Sequence, residues 1–293
     1  MQLYVIVASA GRAEVCSELA DWSQNLVTPD GASVTWLLST PTEADAPPSL
    51  PPGWVALTGA RGAAAQRNRA LDAVPAEADY VFFFDDDTVP RQDFFAAVVA
   101  GFEAHTTWVA ITANLARDGA AEKVEIGLAE ASSELAASEH RGDTEFTKVS
   151  ELYGCAFAVR WASLSLQRFE ERFPLYSWLE DLDYARQAML RGELVKLNSA
   201  VAVHRGVSSG GRTQHLRLGY SQVANPALLV NKHTLPIGIA LAKTLRPVVR
   251  NVIGSLLGNQ TEFRRERLRG NWMAVSDLIG SRGKAHPERI LEL

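Results

Sequence analysis

Tyr80-Val81-Phe82-Phe83-Phe84-Asp85-Asp86-Asp87-Thr88 is an unbroken apolar run that stops at three adjacent carboxylates. Val81 to Phe84 has the length and continuity of a parallel strand covered on both faces, which has no polar side to show. Core packing gives no reason for the acidic end. Three neighbouring carboxylates repel one another and lose solvation unless a cation or several donors neutralise them. In open α/β sheets ligands lie outside the carboxyl ends of the strands, so a metal-bound substrate belongs at this end. The competing reading is a solvated Asp-rich turn.

Strands and helices alternate outward from this stretch. Leu3 to Ser9 reads as a first strand, and Ala10-Gly11-Arg12 opens a helix reaching Leu26, with Val15, Leu19, Trp22 and Leu26 at helical spacing. Ser33 to Ser39 reads as strand, Pro41 to Gly53 as a Pro-rich surface loop, and Trp54 to Leu57 as a short strand. An Ala-rich helix around Arg67 and Asn68 precedes the acidic strand, and a helix over Asp93 to His105 and a strand over Trp108 to Asn114 follow it. The order predicts an α/β domain with a mostly parallel sheet and right-handed crossovers. Leu115 to about Ser150 is polar, small and aperiodic, and reads as a surface excursion. A strand entering a helix resumes at Leu152-Tyr153-Gly154-Cys155, a later helix stops at Gly192 as its C′ residue, and Leu194 to Val203 is a strand ending at His204.

Two further groups of residues suggest chemistry. Glu180, Asp181 and Asp183 fall in the first turn of the helix ending at Gly192, where the helix dipole already favours negative charge. The aromatic approach Tyr176-Ser177-Trp178 adds a wall beside a carboxylate, which points to acid–base work as well as capping. His204 alone would be an ordinary strand-end histidine. Beside two Asp carboxylates it completes an oxygen-rich donor set, which suits Mn2+ or Mg2+ better than zinc.

Composition sets the frame. The chain has 293 residues, long enough for one large domain with an appendage or two modest domains, and its 47% hydrophobic and 22% charged content is ordinary for a soluble globular protein. A formal net charge of −5 argues against nucleic acid as a partner. Cys16 and Cys155 are the only cysteines and fit no paired motif, so a reduced, cytoplasmic setting is expected. The opening Met1-Gln2-Leu3-Tyr4 run reads as a first strand and not as a signal peptide.

These residues together resemble a family 2 glycosyltransferase of GT-A fold, of the bacterial galactofuranosyl/rhamnosyltransferase-like group. The acidic triplet, the Glu180-Asp181 pair before a helix ending Arg191-Gly192, and the downstream His204 carry the likeness over about Leu3 to Gly206. The resemblance implies that Asp85 and Asp87 form the DxD pair holding Mn2+ or Mg2+ on a donor diphosphate, with His204 as third ligand. It implies Asp181, beside Glu180, as the base that deprotonates an acceptor hydroxyl. Nucleotide-sugar contacts are implied for Ser9, Arg12, Arg67, Asn68, Asp86 and Arg212, and acceptor contacts for Tyr176, Trp178 and Gly154. The partners implied are a UDP-, GDP- or dTDP-linked donor and a glycan or lipid-linked acceptor. Two positions depart from the family pattern: the turn Ala8-Ser9-Ala10-Gly11-Arg12 after the first strand, and Ser39-Thr40 where an Asp is common. A sugar nucleotidyltransferase is the rival enzyme, but it calls for a longer, glycine-rich, basic signature after the first strand. A GT-A-like binding or scaffold protein without turnover is the non-enzyme alternative.

The mechanism implied is one displacement with inversion, the metal assisting the leaving diphosphate. The glycines and two arginines of Arg205-Gly206-Val207-Ser208-Ser209-Gly210-Gly211-Arg212 suit either a lid over that diphosphate or an ordinary loop. The expected division is a catalytic domain over 1–212 and a helical extension over 213–293. Between Lys232 and Gly270 eight Lys/Arg face two Glu, a balance of +6 in an acidic chain. Ile237 to Leu257 sets Lys243, Arg246 and Arg250 on one helical face and Leu241, Leu245, Val249, Val252 and Leu256 on the other, with Pro247 expected to break or kink it. Its charges make it a poor membrane span. It reads equally as a helix on an anionic membrane surface, on the catalytic domain, or at a homodimer contact.

Overall fold

The computed structural model describes residues 1–138, 145–207, 214–257 and 261–293. Its elements are β1 (Gln2–Ala8), α1 (Ala13–Ser23), β2 (Ser33–Thr40), β3 (Trp54–Thr58), α2 (Ala63–Asp72), β4 (Tyr80–Asp85), β5 (Thr88–Pro90), α3 (Phe94–Ala104) and β6 (Trp108–Asp118). They continue with α4 (Gly119–Glu122), α5 (Leu128–Ala137), β7 (Phe146–Lys148), β8 (Ala156–Arg160), α6 (Trp161–Leu164), α7 (Glu180–Ala188) and β9 (Glu193–His204). The last helices are α8 (His215–Asn231), α9 (Ile237–Leu257) and α10 (Thr261–Gly280). Two compact units result. The first comprises Met1–Arg61, Ala65–Arg168 and Gln187–Ser208, the second Gly62–Ala64, Phe169–Arg186 and Ser209–Leu293.

The first unit is built on one sheet of order β3-β2-β1-β4-β8-β6-β9-β5, with β7 beside β9. Strands β3, β2, β1 and β4 pair in parallel, whereas β8 enters antiparallel to both β4 and β6, so the sheet is mixed as a whole. No crossover helix immediately precedes β8, and only such a connection returns a strand in parallel. β4 is central and buried from Tyr80 to Phe84. Alternation sends its rings to opposite faces: Phe82 and Phe84 pack edge-on against Phe94 of α3, while Phe83 stacks on Phe157 of β8 at 4.4 Å. The main core of this unit gathers Leu3, Val5, Val7, Trp36, Phe82, Phe84, Phe95 and Phe102.

Several elements differ from the sequence reading. α1 is shorter than expected, stopping at Ser23. The supposed excursion after Leu115 is largely ordered: β6 runs on to Asp118, and α4, α5 and β7 follow. α5 was hidden by its small residues, yet Ala131 and Leu135 with Ile126 close an apolar cluster over Val89, Val201 and Val203. α7 ends at Ala188 and not at Gly192. Gly192 is instead a point of close approach, where a Cβ would meet Val109 Cγ1 at 2.5 Å and the Thr107 carbonyl at 2.6 Å.

The second unit is helical. Leu179 and Leu182 of α7 pack with Phe173, Leu228, Leu229, Leu235 and Ala240, and Tyr220, Val223, Ala224, Ala274 and Ile290 form a second cluster. Pro247 does not break α9, which is continuous from Ile237 to Leu257. Among the described residues no helix is long and apolar enough to cross a membrane.

Candidate active site

The strand registers explain how distant residues meet in the first unit. β5 begins directly after the acidic triplet and pairs antiparallel with β9, setting Thr88 opposite His204. On its other side β9 pairs with β6, setting Asp118 opposite the same histidine. Asp85, Asp87 and His204 thereby offer one ligand atom each, all within 4.8 Å of one another. His204 Nε2 lies 3.5 Å from an Asp87 oxygen, and its Nδ1 is 2.8 Å from Asp118 Oδ1. Asp118 also accepts from the Ala120 and Ala121 backbone N–H groups at the start of α4 and from the Tyr153 hydroxyl. A carboxylate on Nδ1 fixes the ring plane and directs Nε2 toward Asp87.

The triplet splits where β4 ends at Asp85 and the chain turns at Asp86 and Asp87. Asp86 is buried away from that cluster, its Oδ2 accepting from the Ser9 hydroxyl at 2.5 Å and its Oδ1 lying 2.8 Å from the Arg12 guanidinium. Arg12 also reaches Asp87 at 3.1 Å. Arg67 is buried and donates to Asp85 Oδ1 at 2.9 Å and to the Gly154 carbonyl at 3.1 Å. Asn68 is buried next to it. Arg12 and Arg67 thus supply the cations that the sequence argument required.

Electrostatics follows from this packing. Burial pushes the Asp86 carboxyl up to about 7, against the pull of Arg12 and Ser9. Asp87 is also buried, but His204, Arg12 and the Val207 N–H outweigh the burial and hold it below the usual carboxylate range. His204 moves the opposite way: burial lowers it, yet Asp87, Asp85 and Asp118 raise it above its ordinary value, to about 9. A proton on His204 therefore balances charge that a divalent cation could balance instead. Two carboxylates and an imidazole without thiolate are a donor set for Mn2+ or Mg2+, so these residues fit such an ion.

The second unit carries the other candidates. Glu180 is buried and its N–H donates to the Ser177 carbonyl at 2.9 Å. Asp181 is half-buried, and its Oδ1 accepts from the Leu182 N–H at 2.8 Å. Asp183 belongs to the scaffold, since Lys232 Nζ joins it at 2.6 Å to Glu170 at 2.7 Å. Ahead of α7, Leu175, Ser177 and Leu179 hold φ of 57°, 52° and 77°, a left-handed conformation that side-chain-bearing residues adopt at a cost. Ser177 anchors the segment by donating to the Phe173 carbonyl at 2.6 Å. The turns leave Tyr176 and Trp178 lining a depression with Arg217 and Gln214 of about 20 Å³, room for roughly one water.

Arg212 lies outside the described residues. Arg205 is not available to a diphosphate, because it donates to the Ile126 carbonyl at 3.0 Å and to Glu18 at 2.5 Å. Gly206 is pinned beside it at φ 69°, where a Cβ would meet the Gly119 carbonyl carbon at 2.4 Å. The lid reading therefore fails for the start of that segment. Sequence reasoning missed Asp118, Tyr153 and Gln66. Gln66 Nε2 bonds the Ser9 and Ser39 carbonyls at 2.6 and 2.7 Å and so ties the ends of β1 and β2. Asp118 falls within the aperiodic excursion, so only the β6–β9 register reveals it.

No curated protein matches the chain. Among solved structures, the mannosyltransferase PcManGT from Pyrobaculum calidifontis, in complex with GDP-Man and Mn2+, is 17% identical with TM-score 0.55, covering 94% of this chain and 87% of its own. S. aureus TarS 1–349 is 16% identical with TM-score 0.57, covering 99% of this chain and 82% of its own. Residues 54–165, which include the acidic end of β4 but not Asp181 or His204, match the family model described as Glycosyl transferase family 2. The chain has the fold of these GT-A glycosyltransferases, and the likeness to the family 2 model is confined to residues 54–165.

Proposed function

We propose that this chain is a metal-dependent, inverting glycosyltransferase that moves a sugar from a nucleotide-sugar to a hydroxyl of a glycan or lipid-linked acceptor. The observation that carries the reading is the convergence of Asp85, Asp87 and His204 ligand atoms within 4.8 Å at the carboxyl end of β4. The neighbouring PcManGT structure, bound to GDP-Man and Mn2+, supports a nucleotide-sugar donor and a divalent ion. When bound, Mn2+ or Mg2+ supplies Lewis-acid assistance to the departing diphosphate.

The chain's own residues divide the remaining work. Asp85 and Asp87 with His204 hold the ion, and Arg12 and Arg67 set their carboxylates in place. Ser9, Arg12, Asn68 and Asp86 border the nucleotide. Asp181, with Glu180 beside it, takes the acceptor proton, so that attack from the opposite face inverts the anomeric centre without an enzyme nucleophile. Tyr176, Trp178 and Gly154 meet the acceptor. We assign catalysis to 1–212 and a supporting helical role to 213–293. The buried, free Cys16 and Cys155 suit a cytoplasmic, reduced setting.

The test is a panel of UDP-, GDP- and dTDP-sugars, with galactofuranosyl and rhamnosyl donors included, read by thermal shift and by nucleotide release with and without Mn2+. One donor that stabilises the chain only with metal, and releases nucleotide on adding an acceptor, is the expected result. Binding without release would leave a scaffold, and pyrophosphate formation from a sugar phosphate and a nucleoside triphosphate would mark a nucleotidyltransferase.

A further inference from the structure

In the second unit α9 buries polar side chains beside apolar ones such as Ala240. Its inward face carries Asn251 and Ser255, both buried. Asn251 donates to Gln222 of α8 and to Asn271 of α10 at 2.9 Å each, and Asn271 in turn donates to the Gly219 carbonyl at 2.6 Å. Its outward face is aliphatic. Leu241, Leu245, Val249, Ile253 and Leu256 are 52, 55, 50, 53 and 74% exposed, in a stripe that follows the helical repeat. A water-facing helix normally shows the reverse arrangement, and an apolar patch of this kind marks an interaction surface.

We propose that α9 lies flat on the surface of an anionic lipid bilayer, with this aliphatic stripe entering the acyl boundary. Charge selects the occupant. Arg246 and Arg250 are exposed beside the stripe, and Ile237 to Leu257 contains no Asp or Glu. A two-fold contact with a second copy would bring these arginines together with no acidic residue of the helix to pair them. Anionic headgroups answer the arginines while the acyl chains take the aliphatic stripe. The inference is independent of glycosyl transfer and survives or fails without it.

Co-sedimentation of the full chain with phosphatidylcholine vesicles, with and without phosphatidylglycerol, tests it at low and high salt. Binding is expected only with the anionic lipid, falling as salt rises because the attraction decays within about 10 Å at 0.1 M. Arg246→Glu with Arg250→Glu should lower the bound fraction about tenfold or more at low salt. Leu241→Gln with Leu245→Gln and Leu256→Gln should lower it comparably at every salt concentration. These positions are exposed, so unchanged circular dichroism and melting temperature confirm folding in both variants. Absence of vesicle binding by the unmodified chain, or binding indifferent to the Gln variant, overturns the proposal. A concentration-dependent dimer lost in the Gln variant, without vesicle binding, would assign the stripe to a second copy.

Discussion

Asp118→Ala should weaken Mn2+ binding about 10- to 100-fold, because Asp118 holds the histidine and not the ion. Its Oδ1 lies 2.8 Å from His204 Nδ1, opposite it in the β6–β9 register, and removing it takes away the hydrogen bond that fixes the ring. Loss of such an outer partner costs roughly 10–100-fold in metal affinity, or about 1.4–2.8 kcal/mol. A second effect runs the other way. Asp118 helps to raise His204, which stands at about 9, so a bound cation must displace a proton at neutral pH. Removing Asp118 lowers the histidine and eases that competition. The deficit should therefore be larger at pH 9 than at pH 7, and Mn2+ affinity of the unmodified chain should rise across this range. The same substitution removes the α4 cap at Ala120 and Ala121, worth about 1 kcal/mol of stability. Asp118→Asn is the discriminating variant: one amide oxygen can serve the imidazole N–H while the negative charge is gone. Mn2+ affinity by calorimetry and by the EPR of free Mn2+, at both pH values, with melting temperature alongside, measures all three effects. If Asp118→Ala melts earlier but binds Mn2+ as the unmodified chain does, Asp118 is a cap alone and the reasoning fails.

Asp87→Ala should abolish metal-dependent stabilisation by the donor and also lower the melting temperature, since His204, Arg12 and the Val207 N–H all lose a partner; retained Mn2+ dependence in nucleotide release would refute the ligand assignment. Asp181→Asn should keep donor and metal binding but lose about 10²–10⁴-fold in turnover, and full activity there with a dead Glu180→Gln would move the base to Glu180. The second unit should show an acid limb of its own. Arg172 and then Lys232 hold Glu170 down at about 2 from an ordinary 4.5, so the stability it contributes is complete above pH 4.5 and lost as pH falls through the folded value. Glu170→Gln should flatten that limb in pH-dependent urea unfolding, and an unchanged limb would show that the ion pair carries none of it.

The sheet was legible because its strands are long apolar runs, and the ligand cluster because carboxylates at the end of such a run have no packing purpose. Asp85, Asp87 and His204 could be named from the sequence, but nothing local says that β5 and β9 are neighbours. That pairing places Thr88 opposite His204 and so makes three separate residues one cluster. Asp118 was illegible for the same reason, compounded by the small, polar stretch that conceals α4 and α5. Helical periodicity grouped the leucines and valines of α9 but set Lys243, Arg246 and Arg250 opposite them, whereas the buried side carries Asn251 and Ser255 and both arginines are exposed beside the stripe. The apolar face is normally the buried one, and here Asn251, Gln222 and Asn271 bury a hydrogen-bonded network alongside Ala240. Those amides satisfy one another inside the second unit, and among the described residues Leu241, Leu245 and Leu256 stay exposed, which is the arrangement a helix resting on an acyl boundary requires.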